Sequence, residues 1–526
     1  MNSYATTLVV AFSAVLAFVG LGGAFDDAIA GGSTPTAAVV PAIENGSRVT
    51  PSGALVPAVS RQAAIIPEFL AEPAILRRLL TNVSSEGTMP GSVMAAVGGN
   101  SEYLYHWSRD AAITMREVLE RVRRGGDAAE EAKLVGTLDD YFDFSWRSVL
   151  SPTESGHGEP KVTPRAEPFT EEWGRPQNDG PALRALLGVD YYEWLLDHPN
   201  ATSRNAPGAN QLRSSLLPMI KSDLDYLELN WRAPSFDVWE EVLADHYYTR
   251  AVQERAFRRA SELAQRLGDA TSEQRFRSTA DEIRTSLLGY WDEQEGVLRT
   301  HLPESFVRGK DYKASGLDTT VLMARMHTGA DAKAILDDQL LATATRLEDA
   351  FHEQYAVNHV EKAPLVGRYP EDRYTGLPHQ DREGGGNPWL ITTNAFAELH
   401  YRVADALGSE GAVTFTDRNA AFYLTALDSK RTARGHAALE ELGDLLGLHD
   451  GERTLRTDSD AFERLQSALV DRGDSFLERV QENITAEGRH TEQIHRDTGA
   501  PIGAEQLTWN EASLLSAYRA RRAALR

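Results

Sequence analysis

Apolar residues recur every three to four positions along almost the whole chain from Ile65 onward, whereas strict alternation of apolar and polar residues is scarce. The first pattern is typical of helices with one buried face, and the second would be expected of strands. The periodicity predicts helices over 66–80, 109–124, 131–150, 180–196, 212–230, 240–267, 272–292, 315–327, 331–355, 388–407, 411–427, 433–447, 459–485 and 508–523. So many helices joined in antiparallel pairs favour an all-α toroid, with loops at the inner ends facing one pocket.

The charge and composition of the chain exclude several classes of function. Its 526 residues, of which 42% are hydrophobic, suit a globular protein with a large core. The net charge of −23 leaves no basic stripe for nucleic acid and would repel anionic membranes, so neither is an expected partner. The chain lacks cysteine, which excludes disulfides and thiolate metal sites, and no two of its 14 histidines stand at zinc-ligand spacing with a helical Glu between them. We therefore expect neither a metal nor a cofactor.

The first 30 residues have the pattern of a secretory signal peptide. An apolar run from Leu8 to Val19 follows a short polar start, and Ala28-Ile29-Ala30 fits a small-x-small cleavage site. Because the start contains neither Lys nor Arg, an uncleaved membrane anchor is an open alternative. We expect a secreted, extracellular protein without a stable membrane partner.

The rest of the chain reads as one unit. Residues 31–62 are rich in Gly, Pro, Ser, Thr and Ala, which indicates a flexible lead-in, and no composition break divides 63–526 into two folded domains. A monomer is the default expectation. The loops 151–179, 363–388 and 486–508 are long for a compact domain, and such loops are usually functional. Possible N-glycosylation sequences begin at Asn45, Asn82, Asn200 and Asn483.

Three carboxylates and a tryptophan lie within the five residues Asp237-Val-Trp-Glu-Glu241. If this stretch opens a helix, Asp237, Glu240 and Glu241 project toward one end and one side of it. Crowded carboxylates beside the Trp239 indole should hold different pKa values, as a glycosidase acid requires. The alternative is a solvated acidic first turn, where Asp and Glu are favoured.

Two further stretches combine aromatic and charged side chains. Arg109 and Asp110 follow Tyr103 and Trp107 just ahead of a predicted helix, either as a capping pair or as a clamp for vicinal sugar hydroxyls. In the segment 172–184, two glycines and two prolines restrict the conformation of the backbone, and the aromatic and polar side chains between them are of the kinds that bind ligands. A turn around a buried Trp173 would explain only part of so polar a segment.

Taken together, these segments resemble the fungal-type glucoamylases, glycoside hydrolase family 15, over about residues 65 to 523. The motifs that carry the resemblance are Tyr103-to-Asp110, Gly158-Glu-Pro-Lys161, Trp173-Gly-Arg-Pro-Gln-Asn-Asp-Gly-Pro-Ala-Leu-Arg184, Asp237-Val-Trp-Glu-Glu241, Gly367-Arg-Tyr-Pro-Glu-Asp372, Gly386-Asn-Pro-Trp389, Glu492-Gln493 and Leu507-Thr-Trp509. The resemblance implies an (α/α)₆ barrel. It also implies hydrolysis of α-1,4 and, more slowly, α-1,6 glucosidic bonds at non-reducing ends of starch, glycogen or maltooligosaccharides, with inversion to β-D-glucose.

The resemblance also implies roles for individual residues. Glu240 is expected to be the general acid and Glu492 the general base. Asp237 is expected to tune and orient the acid rather than to act as the base, because it lies too close in sequence to Glu240. An inverting mechanism needs the two carboxyl groups ~6.5–9.5 Å apart, which a residue from a distant loop can provide. The expected substrate-binding residues are Tyr103, Trp107, Arg109, Asp110, Trp173, Gly174, Arg175, Trp239, Glu241, Arg368, Tyr369, Asp372 and Trp509.

The chain also departs from the family pattern. The loop containing 375–383 is longer than in many relatives and could reshape outer subsites, and Ile494 stands where an aromatic residue is expected. The chain shows no C-terminal starch-binding domain, so we expect granular starch to be a poor substrate. The open alternatives are another inverting glycosidase on this barrel, such as a trehalase or an α-1,6-preferring enzyme, and a catalytically silent glucan-binding protein.

Overall fold

Fifteen helices dominate the computed structural model, which describes residues 71–97, 101–199, 201, 209–376, 385–449, 451–485 and 488–526. The predicted signal peptide, the lead-in, residues 377–384 of the long loop, and the sequences at Asn45 and Asn200 lie outside the described residues. The helices are α1 (Glu72–Thr81), α2 (Ser108–Arg123), α3 (Ala128–Leu150), α4 (Asp179–Asp197), α5 (Ala209–Asn230), α6 (Tyr247–Leu267), α7 (Ala270–Leu287), α8 (Thr320–Thr328), α9 (Ala332–Ile335), α10 (Asp338–Gln354), α11 (Leu390–Glu410), α12 (Ala420–Leu427), α13 (Gly435–Leu446), α14 (Asp460–Glu482) and α15 (Thr508–Ala524).

Six of these helices form a closed inner ring. In the order α2, α4, α6, α8, α11 and α15, each helix contacts the next, and α15 contacts α2. A second set, α1, α3, α5, α7, α10 and α14, alternates with the first along the chain and packs on its outside, against α15, α2, α4, α6, α8 and α11 respectively. This double ring is the (α/α)₆ barrel, and the predicted fold is confirmed.

The sequence of each helix explains the ring in which it lies. Helix α4 is apolar nearly all round, with 16 of its 19 residues buried, as a helix packed on both sides must be. Helix α7 buries only Phe276, Thr279, Ala280 and Ile283, whose spacing of three and four residues forms one stripe. Its other faces are charged and meet water, so it belongs to the outer ring.

Short strands lie between the helices: β1 to β4, β10 and β11 precede the starts of inner helices, whereas β8 follows the end of α11. They pair as β1 with β2, β3 with β4 and β4 with β7, β5 with β6, β8 with β9, and β10 with β11. The strands are β1 (His106–Trp107), β2 (Lys161–Val162), β3 (Ser235–Phe236), β4 (Val242–Ala244), β5 (Trp291–Asp292), β6 (Val297–Leu298), β7 (Arg308–Gly309), β8 (Ala412–Thr414), β9 (Thr454–Arg456), β10 (Thr491–Ile494) and β11 (Pro501–Glu505). Among the residues so described, no helix combines the length and apolar character needed to cross a bilayer.

Several predicted boundaries are wrong where a strand or a break replaces a helical turn. The helix predicted over 240–267 begins only at Tyr247, and Asp237 to Glu241 form a turn between β3 and β4. The segment predicted as a helix over 411–427 begins with β8, and the one predicted over 331–355 is split into α9 and α10. Strand β4 pairs with β7 as well as with β3, and β8 pairs with β9, so in both cases one pairing partner is distant in sequence and local periodicity does not reveal the strand.

Candidate active site

A pocket of about 390 Å³ lies where the inner helices begin. Segments leading into α2, α4, α6, α11 and α15 supply its walls, so several helix N-termini, with their positive dipole ends, approach one cavity. The lining residues are Ala95, Glu102, Tyr103, Trp107, Arg109, Asp110, Trp173, Gly174, Val238, Trp239, Glu240, Glu241, Arg368, Tyr374, Trp389, Glu492, Leu507 and Trp509. The pocket therefore brings Glu240 and Glu492 together from distant parts of the chain.

The Glu240 carboxylate is fixed by donors on the pocket wall. The indole N–H groups of Trp107 and Trp173 donate to its two oxygens over 2.8 and 2.7 Å. Gln177 Nε2 and Arg109 Nη2 approach the first oxygen at 3.1 and 3.4 Å. Because these donors come from separate loops, the carboxylate keeps one position only while the whole pocket is assembled.

The backbone of Glu240 is also constrained. Its φ of 63° lies in the left-handed region that residues with a side chain seldom adopt. The Asp237 carboxylate holds this turn by accepting hydrogen bonds from the backbone N–H groups of Glu241 at 2.6 Å and Val242 at 3.0 Å. Strain of this kind persists only where surrounding contacts determine it, and it is concentrated at functional sites.

Glu492 lies on β10, at a shift of register against β11 that re-aims its side chain. Its carboxylate accepts a hydrogen bond from Tyr103 Oη over 2.7 Å and one from Gln493 Nε2 over 3.1 Å. On the paired strand β11, a Cβ on Gly503 would lie 2.8 Å from Glu492 Oε2, so only glycine leaves room for the carboxylate. Burial raises the pKa of Glu492 to about 7, although both hydrogen bonds oppose the rise.

Arg109 and Asp110 form a charged pair in the first turn of α2. Arg109 donates to Gln177 at 2.8 Å and to Asp179 at 3.0 Å, which fixes the guanidinium. Its Nε and the Asp110 Oδ2 are buried without a hydrogen-bond partner among the described residues. The two atoms lie 3.5 Å apart and pair with each other. Both residues line the pocket, where their other polar atoms can meet substrate hydroxyls. Burial raises the pKa of Asp110 to about 7, despite the neighbouring Arg109 charge.

Arg368 is the second cation of the pocket wall. Its guanidinium is held by Asp372, with Nε 2.7 Å from Oδ2, and by Glu241, with Nη2 3.0 Å from Oε1. Tyr369 donates to the other oxygen of Glu241 over 2.5 Å. Tyr369 and Asp372 are not among the lining residues, so they support Arg368 and Glu241 from behind the wall.

Two other predicted site residues lie behind the wall. Arg175 is a correction to substrate binding, because its guanidinium is bound to Glu159 at 2.7 Å and to two backbone carbonyls of its own loop. Asp237 is also absent from the lining and pairs with Lys313 at 2.8 Å. Burial alone would raise the pKa of Asp237, but the Lys313 ammonium holds it well below its ordinary value.

The sequence analysis missed several members of the site. Tyr374 lines the pocket and its hydroxyl lies 3.0 Å from that of Tyr103, but nothing in the sequence marks it. Trp389 and Gln177 lie in motifs that carry the family resemblance, so the sequence could have identified them as site residues. The Lys161 ammonium lies 4.4 Å from the ring centre of Trp107, and burial lowers its pKa to about 8.

Two of the possible N-glycosylation sequences begin at an asparagine that the structure buries. Asn82 is 1% exposed, and its Nδ2 donates to Gln506 and to Thr508. Asn483 is buried, and its Nδ2 donates to the Arg479 carbonyl. A glycan on either amide would displace these bonds and would have no space inside the fold.

A Tyr103→Phe variant is expected to move the acidic limb of the kcat/KM profile to higher pH. The lost hydroxyl donates to Glu492 and favours its ionised form, so its removal raises the pKa of that carboxyl. The group would then bind a proton, and lose activity as a base, at a higher pH than in the wild type. Initial rates from pH 3 to 8 measure the limb. An unmoved limb would show that Glu492 does not control it.

A double ring of helices that brings several carboxylates and tryptophans into one pocket has the arrangement of a glycoside hydrolase. The family model for glycosyl hydrolases family 15 matches residues 71–519, and the chain belongs to this family. A glucoamylase of Blastobotrys adeninivorans is 32% identical over 468 residues, which cover 84% of this chain and 69% of the relative.

Solved structures agree with this assignment. The glucoamylase of Saccharomycopsis fibuligera matches with a TM-score of 0.74 and 26% identity, covering 86% of this chain and 94% of that one. The family 15 glucoamylase of Hypocrea jecorina matches with a TM-score of 0.70 and 28% identity, covering 86% and 71%. The predicted family, and the prediction of a glucoamylase-type glycoside hydrolase, are confirmed.

Proposed function

We propose that the protein removes glucose units from the non-reducing ends of starch, glycogen or maltooligosaccharides. It hydrolyses α-1,4 bonds and, more slowly, α-1,6 bonds, with inversion to β-D-glucose. The observation that carries the proposal is the meeting of Glu240 and Glu492 in one pocket, each held by its own hydrogen bonds. A pocket of this volume suits the end of a sugar chain, and its tryptophans offer faces on which pyranose rings can rest.

Glu240 acts as the general acid. It gives its proton to the glycosidic oxygen as the bond from that oxygen to the anomeric carbon breaks. Glu492 acts as the general base, taking a proton from a water molecule whose oxygen forms the new bond to the anomeric carbon on the opposite face. Tyr103 and Gln493 donate to the two oxygens of Glu492 and so orient its carboxylate.

The charged pair Arg109 and Asp110, together with Arg368, binds the hydroxyls of the terminal glucose. All three residues line the same pocket as Glu240. Trp173, Glu241 and Trp509 shape the side on which the leaving sugar lies. Asp237 cannot supply the base, because Lys313 and two backbone N–H groups occupy its carboxylate behind the wall.

The anomer of the first product tests the stereochemistry. In NMR spectra recorded within minutes of adding maltotriose, β-glucose is expected to appear first, and α-glucose only later by mutarotation. Inversion follows because water attacks from the face opposite the leaving oxygen. If α-glucose appears first, the single-displacement mechanism is wrong.

The same glucose assay applied to maltose, isomaltose, trehalose and dextrin distinguishes the alternatives. Glucose from trehalose alone would indicate a trehalase, and faster release from isomaltose would indicate an α-1,6-preferring enzyme. Binding without release would indicate a silent glucan-binding protein. Secretion, which depends on residues 1–30, and the monomeric state are further parts of the proposal.

A further inference from the structure

Lys313 places a buried ammonium directly behind the acid side of the pocket. The residue is 7% exposed, and its Nζ lies 2.8 Å from Asp237, 3.4 Å from Asp318 and 3.8 Å from Glu241. The same ammonium lies 4.0 Å from the ring centre of Tyr369. Lys313 does not line the substrate pocket, and of these four partners only Glu241 does.

Each of the three carboxylates around this ammonium holds a different part of the pocket. Asp237 accepts the backbone N–H groups that close the turn carrying Glu240. Asp318 accepts the indole N–H of Trp239 at 3.0 and 3.1 Å. Glu241 holds Arg368. The single Lys313 ammonium therefore lies beside three carboxylates. These carboxylates position the proposed general acid, the tryptophan of the pocket wall and the arginine proposed to bind substrate.

We propose that Lys313 is a positioning residue for the reaction, acting through Asp237 to keep Glu240 in its left-handed turn. The proposal rests on the proposed function, since it assigns the acid role to Glu240. Without the ammonium, the Asp237 carboxylate would lose its ion-pair partner, whereas Glu241 would keep Arg368, and a buried charge that loses its partner is strongly destabilised. The turn would relax, and an error of about 1 Å at a catalytic group can cost about 10²-fold in rate.

A Lys313→Met variant tests this inference, with Lys310→Met as the matched control. Lys310 is exposed on the same loop, so its replacement removes one charge without disturbing the cluster. For Lys313→Met, kcat on maltotriose is expected to fall at least about tenfold, with KM changed by less than about threefold. Asp237 lies nearest the ammonium, whereas Glu241 keeps its bond to Arg368 and Asp318 keeps its bonds to Trp239. A kcat within twofold of that of Lys310→Met would overturn the proposal. A wild type that releases no glucose would instead overturn the proposed function.

The pH profile separates positioning through Asp237 from a loss of general stability. Without Lys313, the acidic limb of the kcat profile is expected to shift to higher pH by about one unit or more, because an unpaired buried Asp237 takes up a proton at higher pH. Adding Asp237→Asn should return the limb to its original position and bring kcat to that of Asp237→Asn alone, because no unpaired carboxylate is left. A limb still displaced in the double variant would overturn the assignment to Asp237. The other titratable or charged groups that face this cluster are Glu241, Asp318, His246, His301, Tyr369 and Arg368.

The double variant also decides the outcome if Lys313→Met does not fold. It removes one positive and one negative charge together, so the cluster keeps its net charge and the fold is expected to survive. If that double variant turns over maltotriose at least about tenfold more slowly than Asp237→Asn alone, Lys313 acts by a route other than Asp237 and the proposal is wrong. A kcat within about twofold of that of Asp237→Asn, with a similar melting temperature, would support it.

Discussion

Replacement of Glu240 by Gln is expected to lower kcat for maltooligosaccharides by at least about 10²-fold, the scale of a lost general acid. The amide has nearly the same shape and still accepts a hydrogen bond from Trp107 or Trp173, but it has no proton to give. Steady-state rates of glucose release from maltotriose measure the effect. The matched control is Glu172→Gln, which neutralises an exposed carboxylate on the loop that carries Trp173.

The leaving group provides a sharper test of the same role. Fluoride leaves without needing a proton, so Glu240→Gln should hydrolyse α-glucosyl fluoride with a much smaller loss than it shows on maltotriose. A misfolded or badly packed pocket would reduce both rates alike. Equal losses on the two substrates, or near-normal turnover of maltotriose, would reject the assignment of the acid.

The sequence was sufficient for the helical framework because burial leaves a periodic trace. Helix α15 was predicted over 508–523 and observed over Thr508–Ala524, and α2 differs from its prediction by one residue at each end. These inner helices are apolar enough that no other assignment fits. The identity of the acid and the base required the family resemblance, since Glu492 alone looks like any surface glutamate.

The turn around Glu240 could not have been predicted from local pattern. Asp and Glu are favoured in the first turn of a helix, so this acidic run imitates a helix start. The actual conformation depends on β3 pairing with β4, on Asp237 bonding to backbone N–H groups, and on Lys313 from a distant loop. Arg175 shows the same limit, because an arginine that braces its own loop and one that binds sugar have the same local sequence.

A Glu492→Gln variant is expected to have a kcat at least about tenfold lower than that of an Asp237→Asn variant. Glu492 lines the pocket with a carboxylate that can take a proton from water, whereas Asp237 is 4% exposed and engaged by Lys313. The Asp237 replacement should act only by loosening the turn. Both backbone hydrogen bonds end on one Asp237 oxygen, which the amide keeps, but the amide NH₂ would face the Lys313 ammonium.

The pH profiles of the same two variants distinguish a base from a supporting residue. Glu492→Gln should lose the acidic limb of kcat/KM, since the group whose ionisation the limb reports is gone. Asp237→Asn should keep that limb, because Glu492 still has to be ionised. Glu505→Gln, an exposed change on the neighbouring strand β11, controls for the loss of a charge. If Asp237→Asn is the more damaging change and abolishes the limb, the base is Asp237, and water must reach a carboxylate that the structure places behind the wall.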